Sequence, residues 1–176
     1  MPLLDRPVLS VTDAQRLLAE TQGDPLLCAA ATLMLLAGAR GGEVTAAAVA
    51  DYEPAEQSYM LLGERRICIA PTAARAVNAY LATQDARPEE PLLLGLQRAG
   101  VLPRLLRRAA DRAGLEMRMY DLRRGAIAAA WEDGAPEAHV NAYFGVGKAL
   151  APNALVPLRK GYDVAIARTL EAAFGA

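Results

Sequence analysis

Arginines crowd one part of this chain. Between Arg98 and Arg124 stand Arg98, Arg104, Arg107, Arg108, Arg112, Arg118, Arg123 and Arg124, opposed only by Asp111, Glu116 and Asp121. A guanidinium is a planar fork of donors that stays charged and meets a phosphate with two hydrogen bonds at once. A run of this kind suits a polyanion; the plainer alternative is a set of solvated helix faces. The chain as a whole carries 19 Lys and Arg against 20 Asp and Glu, a formal charge of −1. That sum argues mildly against nucleic acid, but the distribution argues for it. Acids gather elsewhere, at Glu89-Glu90 and Glu132-Asp133, and leave the middle basic. Outside the run, Arg40 closes a long apolar segment, and Tyr162 follows the basic pair Arg159-Lys160.

These residues must be placed by helices and one small sheet. Ser10-Val11-Thr12-Asp13 reads as a helix start, with Ser10 as cap and Asp13 positioned to complete a capping box. Leu17 and Leu18 follow on one face, and Gly23 ends that helix. A second helix is expected from about Asp24 to Ala39, broken by Gly41-Gly42. Tyr59 to Leu62, Gly63-Glu64 and Arg65 to Ile69 read as strand, tight turn, strand, with Val49 to Tyr52 as a candidate third strand. Pro71-Thr72 opens a helix carrying Ala76, Val77, Tyr80 and Leu81 at helical spacing. Further helices are expected over Pro103 to Ala113, from near Tyr120 to Gly134, from Pro136 to Tyr143, and over Asp163 to Phe174. Gly145 to Gly161 is rich in Gly, Pro and Ala and reads as an irregular connection. The fold class is therefore mainly α with a small antiparallel β-sheet inserted near residues 49–69, an α+β domain.

Composition sets further bounds. The chain of 176 residues is 53% hydrophobic and 22% charged, ordinary for a globular domain. The apolar run Leu26 to Ala39 is short for a membrane span and ends at an arginine, so it reads as a buried core helix. No basic, apolar and cleavage regions succeed one another at the start, so secretion is not expected and the cytoplasm is. Cys28 and Cys68 have apolar neighbours and no CxxC partner, and read as buried reduced thiols. No metal and no cofactor are expected. His139, the only histidine, reads as a surface or core residue rather than a catalytic one.

Two segments stand out together: Leu36-Ala37-Gly38-Ala39-Arg40-Gly41-Gly42-Glu43-Val44 and Tyr120-Asp121-Leu122-Arg123-Arg124-Gly125-Ala126. They resemble the two arginine boxes of the tyrosine recombinase, or phage integrase, family. The first box there is an apolar helix, then G-[LA]-R, two residues, and E-[LV]; the second is H-x-L-R-H. The order of elements also matches, and the resemblance runs from Leu9 to the final helix. It implies a single catalytic-type domain over residues 1–176, without the N-terminal core-binding domain that the family usually carries. In that family a tyrosine hydroxyl attacks the scissile phosphodiester, forms a 3′-phosphotyrosyl link and releases a 5′-hydroxyl. The resemblance gives Arg40 and Arg123 the role of a clamp on the phosphate, Glu43 that of holding the first box, and Tyr162 that of nucleophile. Arg65 and Tyr120 are weaker catalytic candidates. DNA contacts are expected from Arg40, Arg104, Arg107, Arg108, Arg118, Arg123, Arg124, Arg159 and Lys160.

The residues alone leave other roles open: Arg40 could cap helix carbonyls, Arg123 could pair with Asp121 or Glu132, and Tyr162 could be a half-buried tyrosine opening the last helix. The match is also incomplete. The hairpin turn Gly63-Glu64-Arg65-Arg66 lacks the family's lysine, and Arg65 is a reluctant proton donor. Tyr120 stands where the second box has its first histidine. Phe144-Gly145-Val146 stands where the family has L-G-H, and valine donates no hydrogen bond. Tyr143 lies too early in the chain to replace Tyr162, which itself lies further along than the family's spacing. The expectation is a DNA-binding protein of this family, degenerate in catalysis, serving as a regulator or accessory factor. An active site-specific recombinase is the first alternative and a helical interaction module the second. The expected partners are double-stranded DNA and a second copy or a recombinase-like protein, with no membrane.

Overall fold

A computed structural model describes residues 8–147 and 158–175. Its elements follow in order as helices α1 (Val11–Thr21), α2 (Pro25–Leu36) and α3 (Gly41–Ala46), strands β1 (Tyr52–Glu53), β2 (Tyr59–Leu62) and β3 (Arg65–Cys68), then α4 (Pro71–Leu81), α5 (Val101–Arg112), α6 (Met119–Glu132), α7 (Glu137–Phe144) and α8 (Tyr162–Phe174). The helix starts are chemically marked. Ser10 Oγ accepts the Asp13 N–H at 3.1 Å, and Asp24 Oδ1 accepts the Leu27 N–H at 3.1 Å ahead of Pro25. Asp13 does not return the bond; its carboxylate takes Arg16 Nη1 instead.

Helix α2 is the centre of the domain. From Ala29 to Leu36 every residue is buried, and the helix packs on α1, α3, α4, α5, α6 and α8. A helix apolar all round has no solvent face and belongs inside. Its one polar residue there, Thr32, turns its hydroxyl back to the Cys28 and Ala29 carbonyls. The helix stops at Leu36 rather than at the expected Ala39. Gly38 adopts φ +59, and the Ala39 N–H turns back to the Leu33 carbonyl at 3.1 Å. A Cβ on Gly38 would lie 2.3 Å from the Phe144 ring, so both conformation and space demand glycine. Gly41 and Gly42 do not form the stop; they open α3.

The sheet is an antiparallel meander in the order β1-β2-β3, with Met60 opposite Ile67 and Leu62 opposite Arg65. The third strand expected over Val49 to Tyr52 is present, but later and shorter, as β1 at Tyr52–Glu53. Val49–Asp51 is a 3-10 turn, because the Asp51 carboxylate takes the Ala48 N–H at 2.8 Å and tightens the chain before β1 begins. This stretch pairs instead with the loop after α4: the Val49 N–H donates to the Glu90 carbonyl and the Leu92 N–H to the Ala47 carbonyl. The irregular connection expected over Gly145 to Gly161 lies mostly outside the described residues. No helix among the described residues is long and apolar enough to cross a membrane. Replacement of Leu35 by Ala, at a fully buried position, is expected to cost about 2–5 kcal/mol. Urea unfolding checks this as a lower midpoint at unchanged slope.

Candidate functional site

The site begins where α2 ends. Arg40 occupies the cap of α3, and its backbone N–H donates to Glu43 Oε2 at 2.8 Å. The i to i+3 spacing of arginine and glutamate in the first box is thus a helix-capping distance. The Arg40 side chain returns to the same carboxylate, with Nη1 3.1 Å from Oε1. Arg65, first residue of β3, reaches Glu43 from the sheet: its Nη2 lies 2.7 and 2.8 Å from the two oxygens. Glu43 is therefore shared by two arginines from separate elements, and only 11% of its side chain is exposed.

Arg123 comes from the first turns of α6 and is 1% exposed. It pairs with neither Asp121 nor Glu132. Its Nη1 donates to the Gly38 carbonyl at the end of α2, and its Nη2 to the Phe144 carbonyl at the end of α7. Arg65 Nη1 donates to the Tyr143 carbonyl, and Arg40 Nη2 to that of Gly145. Three consecutive carbonyls at the end of α7 thus each receive one guanidinium. The last carbonyls of a helix lack internal partners and carry its negative pole, so cations suit them. Gly145 takes φ +61, and a Cβ there would lie 2.7 Å from Arg65 Cδ.

Arg40 and Arg123, 83 positions apart in sequence (123 minus 40), therefore converge on adjacent peptide groups. With Arg65 beside them the cluster holds three guanidiniums and the Glu43 carboxylate, a local excess of positive charge. Burial first, then the like charges of Arg40 and Arg65, hold Arg123 below the usual arginine range. Arg123 Nε is buried without a hydrogen-bond partner among the described residues.

Tyr162 is the first residue of α8, and its ring lies 5.4 Å from that of His139. Its hydroxyl makes no hydrogen bond among the described residues. Burial and the nearby Asp163 carboxylate raise its ionisation above the ordinary tyrosine range, with Arg65 opposing. Asp163 also accepts the Cys68 N–H at 3.0 Å, tying the start of α8 to β3. Tyr143 is wholly buried, and its hydroxyl donates to the Cys68 carbonyl at 2.8 Å. Tyr120 is 47% exposed at the start of α6. His139 is buried, as one of the two readings had it, and its Nε2 accepts the Arg159 N–H at 3.3 Å.

The arginine-rich stretch divides in two. Arg107 pairs with Asp111, Arg112 with Glu20, and the half-buried Arg124 with Asp121. Arg98, Arg104, Arg108 and Arg118 are exposed, and their side chains have no ion-pair partner among the described residues. Arg159 and Lys160 are exposed ahead of α8. A shallow groove of about 180 Å³ runs between Gly41-Gly42 at the start of α3, Arg98, Pro103 and Met119.

Sequence reasoning missed the partners of the site arginines, because backbone carbonyls carry no residue signature. The one signal was the glycine of Phe144-Gly145-Val146, a helix C-terminal residue. It also missed the contact between His139 and Tyr162, which lie far apart in sequence. Asp121 plays at α6 the part that Glu43 plays at α3, accepting the Arg118 N–H at 2.8 Å.

A helical domain with a three-stranded meander between its third and fourth helices, and two arginine-bearing helix starts brought together, has the fold of a tyrosine recombinase catalytic domain. The XerA recombinase matches at TM-score 0.72 and 18% identity, over 97% of this chain and 60% of its own. The integrase of mycobacterium phage Brujita matches at TM-score 0.72 and 19% identity, over 99% of this chain and 60% of its own. The lambda integrase catalytic core matches at TM-score 0.61 and 14% identity, over 80% of this chain and 91% of that core; a lambda integrase dimer bound to a COC′ core site matches at 0.61 and 14%, over 84% and 60%. The chain thus spans 60% of the length of the first two. No protein-family model matches the sequence, and no curated protein sequence matches it.

Two expectations follow from this geometry. Glu43→Ala strips the part-buried Arg65 and the half-exposed Arg40 of their shared carboxylate and, through the buried Arg65 pair, is expected to cost about 3–5 kcal/mol. Adding Arg65→Met should recover part of that loss in a double-mutant cycle, read by denaturant unfolding. The tyrosinate absorbance transition lost in Tyr162→Phe should centre above pH 10, the ordinary tyrosine value. A transition at or below it would show that the hydroxyl is activated.

Proposed function

We propose that this chain binds double-stranded DNA and does not itself cleave it, serving in the cytoplasm as a regulator or accessory factor beside a second copy or a recombinase-like partner. The observation that carries the reading is the state of the site arginines. Arg40, Arg65 and Arg123 direct their donors to Glu43 and to backbone carbonyls, while the Tyr162 hydroxyl has no described partner and a raised ionisation. A phosphoryl transfer needs the reverse: free donors where charge develops and an easily ionised nucleophile. The proton-transfer groups are thin as well. The hairpin turn offers Glu64 rather than lysine, Tyr120 stands for a histidine, and Val146 offers no donor. General acid–base groups of that kind are worth roughly 100- to 10,000-fold in rate.

DNA binding draws its support from Arg98, Arg104, Arg108 and Arg118, which are exposed and have no ion-pair partner among the described residues. Arg159 and Lys160 add charge near α8. A fold shared with a lambda integrase dimer bound to a core site fits both the duplex and a second copy. A second reading, an active recombinase, is favoured by the convergence of Arg40 and Arg123 and by the nearness of Arg65 to both. It makes Arg40 and Arg123 the phosphate clamp, Tyr162 the nucleophile, and Arg65 the substitute for the hairpin lysine.

Affinity for duplex DNA should be weak and fall steeply with salt, with about −0.9 of log–log slope for each phosphate neutralised. Replacing Arg104, Arg108 and Arg118 together by Ala should flatten that slope by about 3 while leaving the fold intact. No binding to any duplex at low salt would refute the reading. On a nicked suicide duplex the wild type should trap no covalent adduct. An adduct abolished by Tyr162→Phe would establish the recombinase reading in its place.

A further inference from the structure

The three site arginines already hold a ligand, and it belongs to the chain itself. We propose that the carbonyl end of α7, Tyr143 to Gly145, is an internal occupant of the arginine cluster, and that a phosphate group enters only by displacing it. The inference rests on the DNA-binding reading for the identity of the phosphate, but not for the exchange itself.

Three observations carry it. Each of the three consecutive carbonyls takes one guanidinium, so the helix end presents a row of partial negative charges where an oxyanion would present its oxygens. The mimicry is incomplete. Arg123 Nε is buried without a partner, so the carbonyls leave a donor that the additional oxygen of a phosphate would satisfy. The occupant is also held unevenly. Tyr143 and Phe144 are wholly buried, whereas Gly145 and Val146 are half-exposed and joined to α7 through N–H bonds that converge on the Asn141 carbonyl. The side chain that grips Gly145, Arg40, is 49% exposed. The exchange therefore begins at the solvent side, with Arg40 leaving the Gly145 carbonyl, and proceeds inward to Arg123. An affinity measured for an outside anion is lowered by the fraction of molecules still occupied by their own helix end.

Hydrogen–deuterium exchange of the whole chain, alone and with a duplex oligonucleotide, tests this. Pyrophosphate serves as a second probe, and sodium chloride at matched ionic strength as the control. The expected result is faster exchange at the Gly145 and Val146 amides with either anion, alongside protection of the Arg98 to Arg118 region with duplex only. Gly145→Ala supplies an independent arm, since its Cβ would press on Arg65 and loosen the grip. If folded by circular dichroism, it should bind duplex about fivefold more tightly or better. Protection by duplex with no change at Gly145 and Val146 would overturn the inference and leave DNA binding standing. So would a folded Gly145→Ala of unchanged or weaker affinity. Faster exchange with pyrophosphate but no response to duplex would uphold the exchange and refute the DNA reading. No response to either anion would overturn both. If Gly145→Ala does not fold, the wild-type exchange data decide alone.

Discussion

Like charges repel, and this domain brings three arginines together beside one carboxylate. What makes that possible is Glu43. It lies within reach of Arg40 through a single turn of helix and of Arg65 through a strand from another part of the chain. Removing charges from water is costly unless every donor finds an acceptor in good geometry. The carboxylate supplies acceptors for two of the arginines, and the spare carbonyls at the ends of α2 and α7 supply others, leaving only Arg123 Nε without a partner among the described residues' buried side-chain donors. The close approach of these helix ends is then a condition of the charge cluster. Gly38 and Gly145, with their left-handed backbones and missing side chains, are the residues that permit it.

The rest of the fold can be read outward from there. Helix α2 is apolar all round because it must run through the middle to deliver Arg40 to the site. Helix α6 starts with its own acid-capped turn, which sets Arg123 one turn deep and inside, while Arg118 stays in solvent. The exposed Arg118 and the buried Arg123 are therefore parts of one short segment. Its outer arginine is available to a partner, and its inner one is already engaged.

Much of this was legible in the sequence. Ser10 and Asp24 announce two helix starts through their side chains, and Gly63-Glu64 between two apolar strands announces the hairpin. The spacing of Arg40 and Glu43 is a local capping relation, so it shows in the chain. What could not be read is what the arginines touch. A backbone carbonyl belongs to every residue alike, and only the tertiary approach of α7 selects three of them. The 3-10 turn at Val49–Asp51 escaped for a related reason. Apolar residues suggested a strand, but one carboxylate bonding back to Ala48 changed the local geometry.

The neighbouring Arg65 and Arg66 show how finely the hairpin is set. Side chains along a strand alternate between its two faces. Arg65 accordingly points inward to Glu43, while Arg66 points outward, bonds both oxygens of Glu53 and lies 4.0 Å over the Tyr59 ring. The two residues are chemically identical, so nothing in their type tells the chain which belongs inside. The turn alone makes that choice by fixing Leu62 opposite Arg65. Lengthening it by one residue would turn Arg65 to the solvent face and carry Arg66 to the place opposite Met60 that Ile67 now holds, away from Arg65's position. The parity of a single loop thus decides whether the cluster has its third charge.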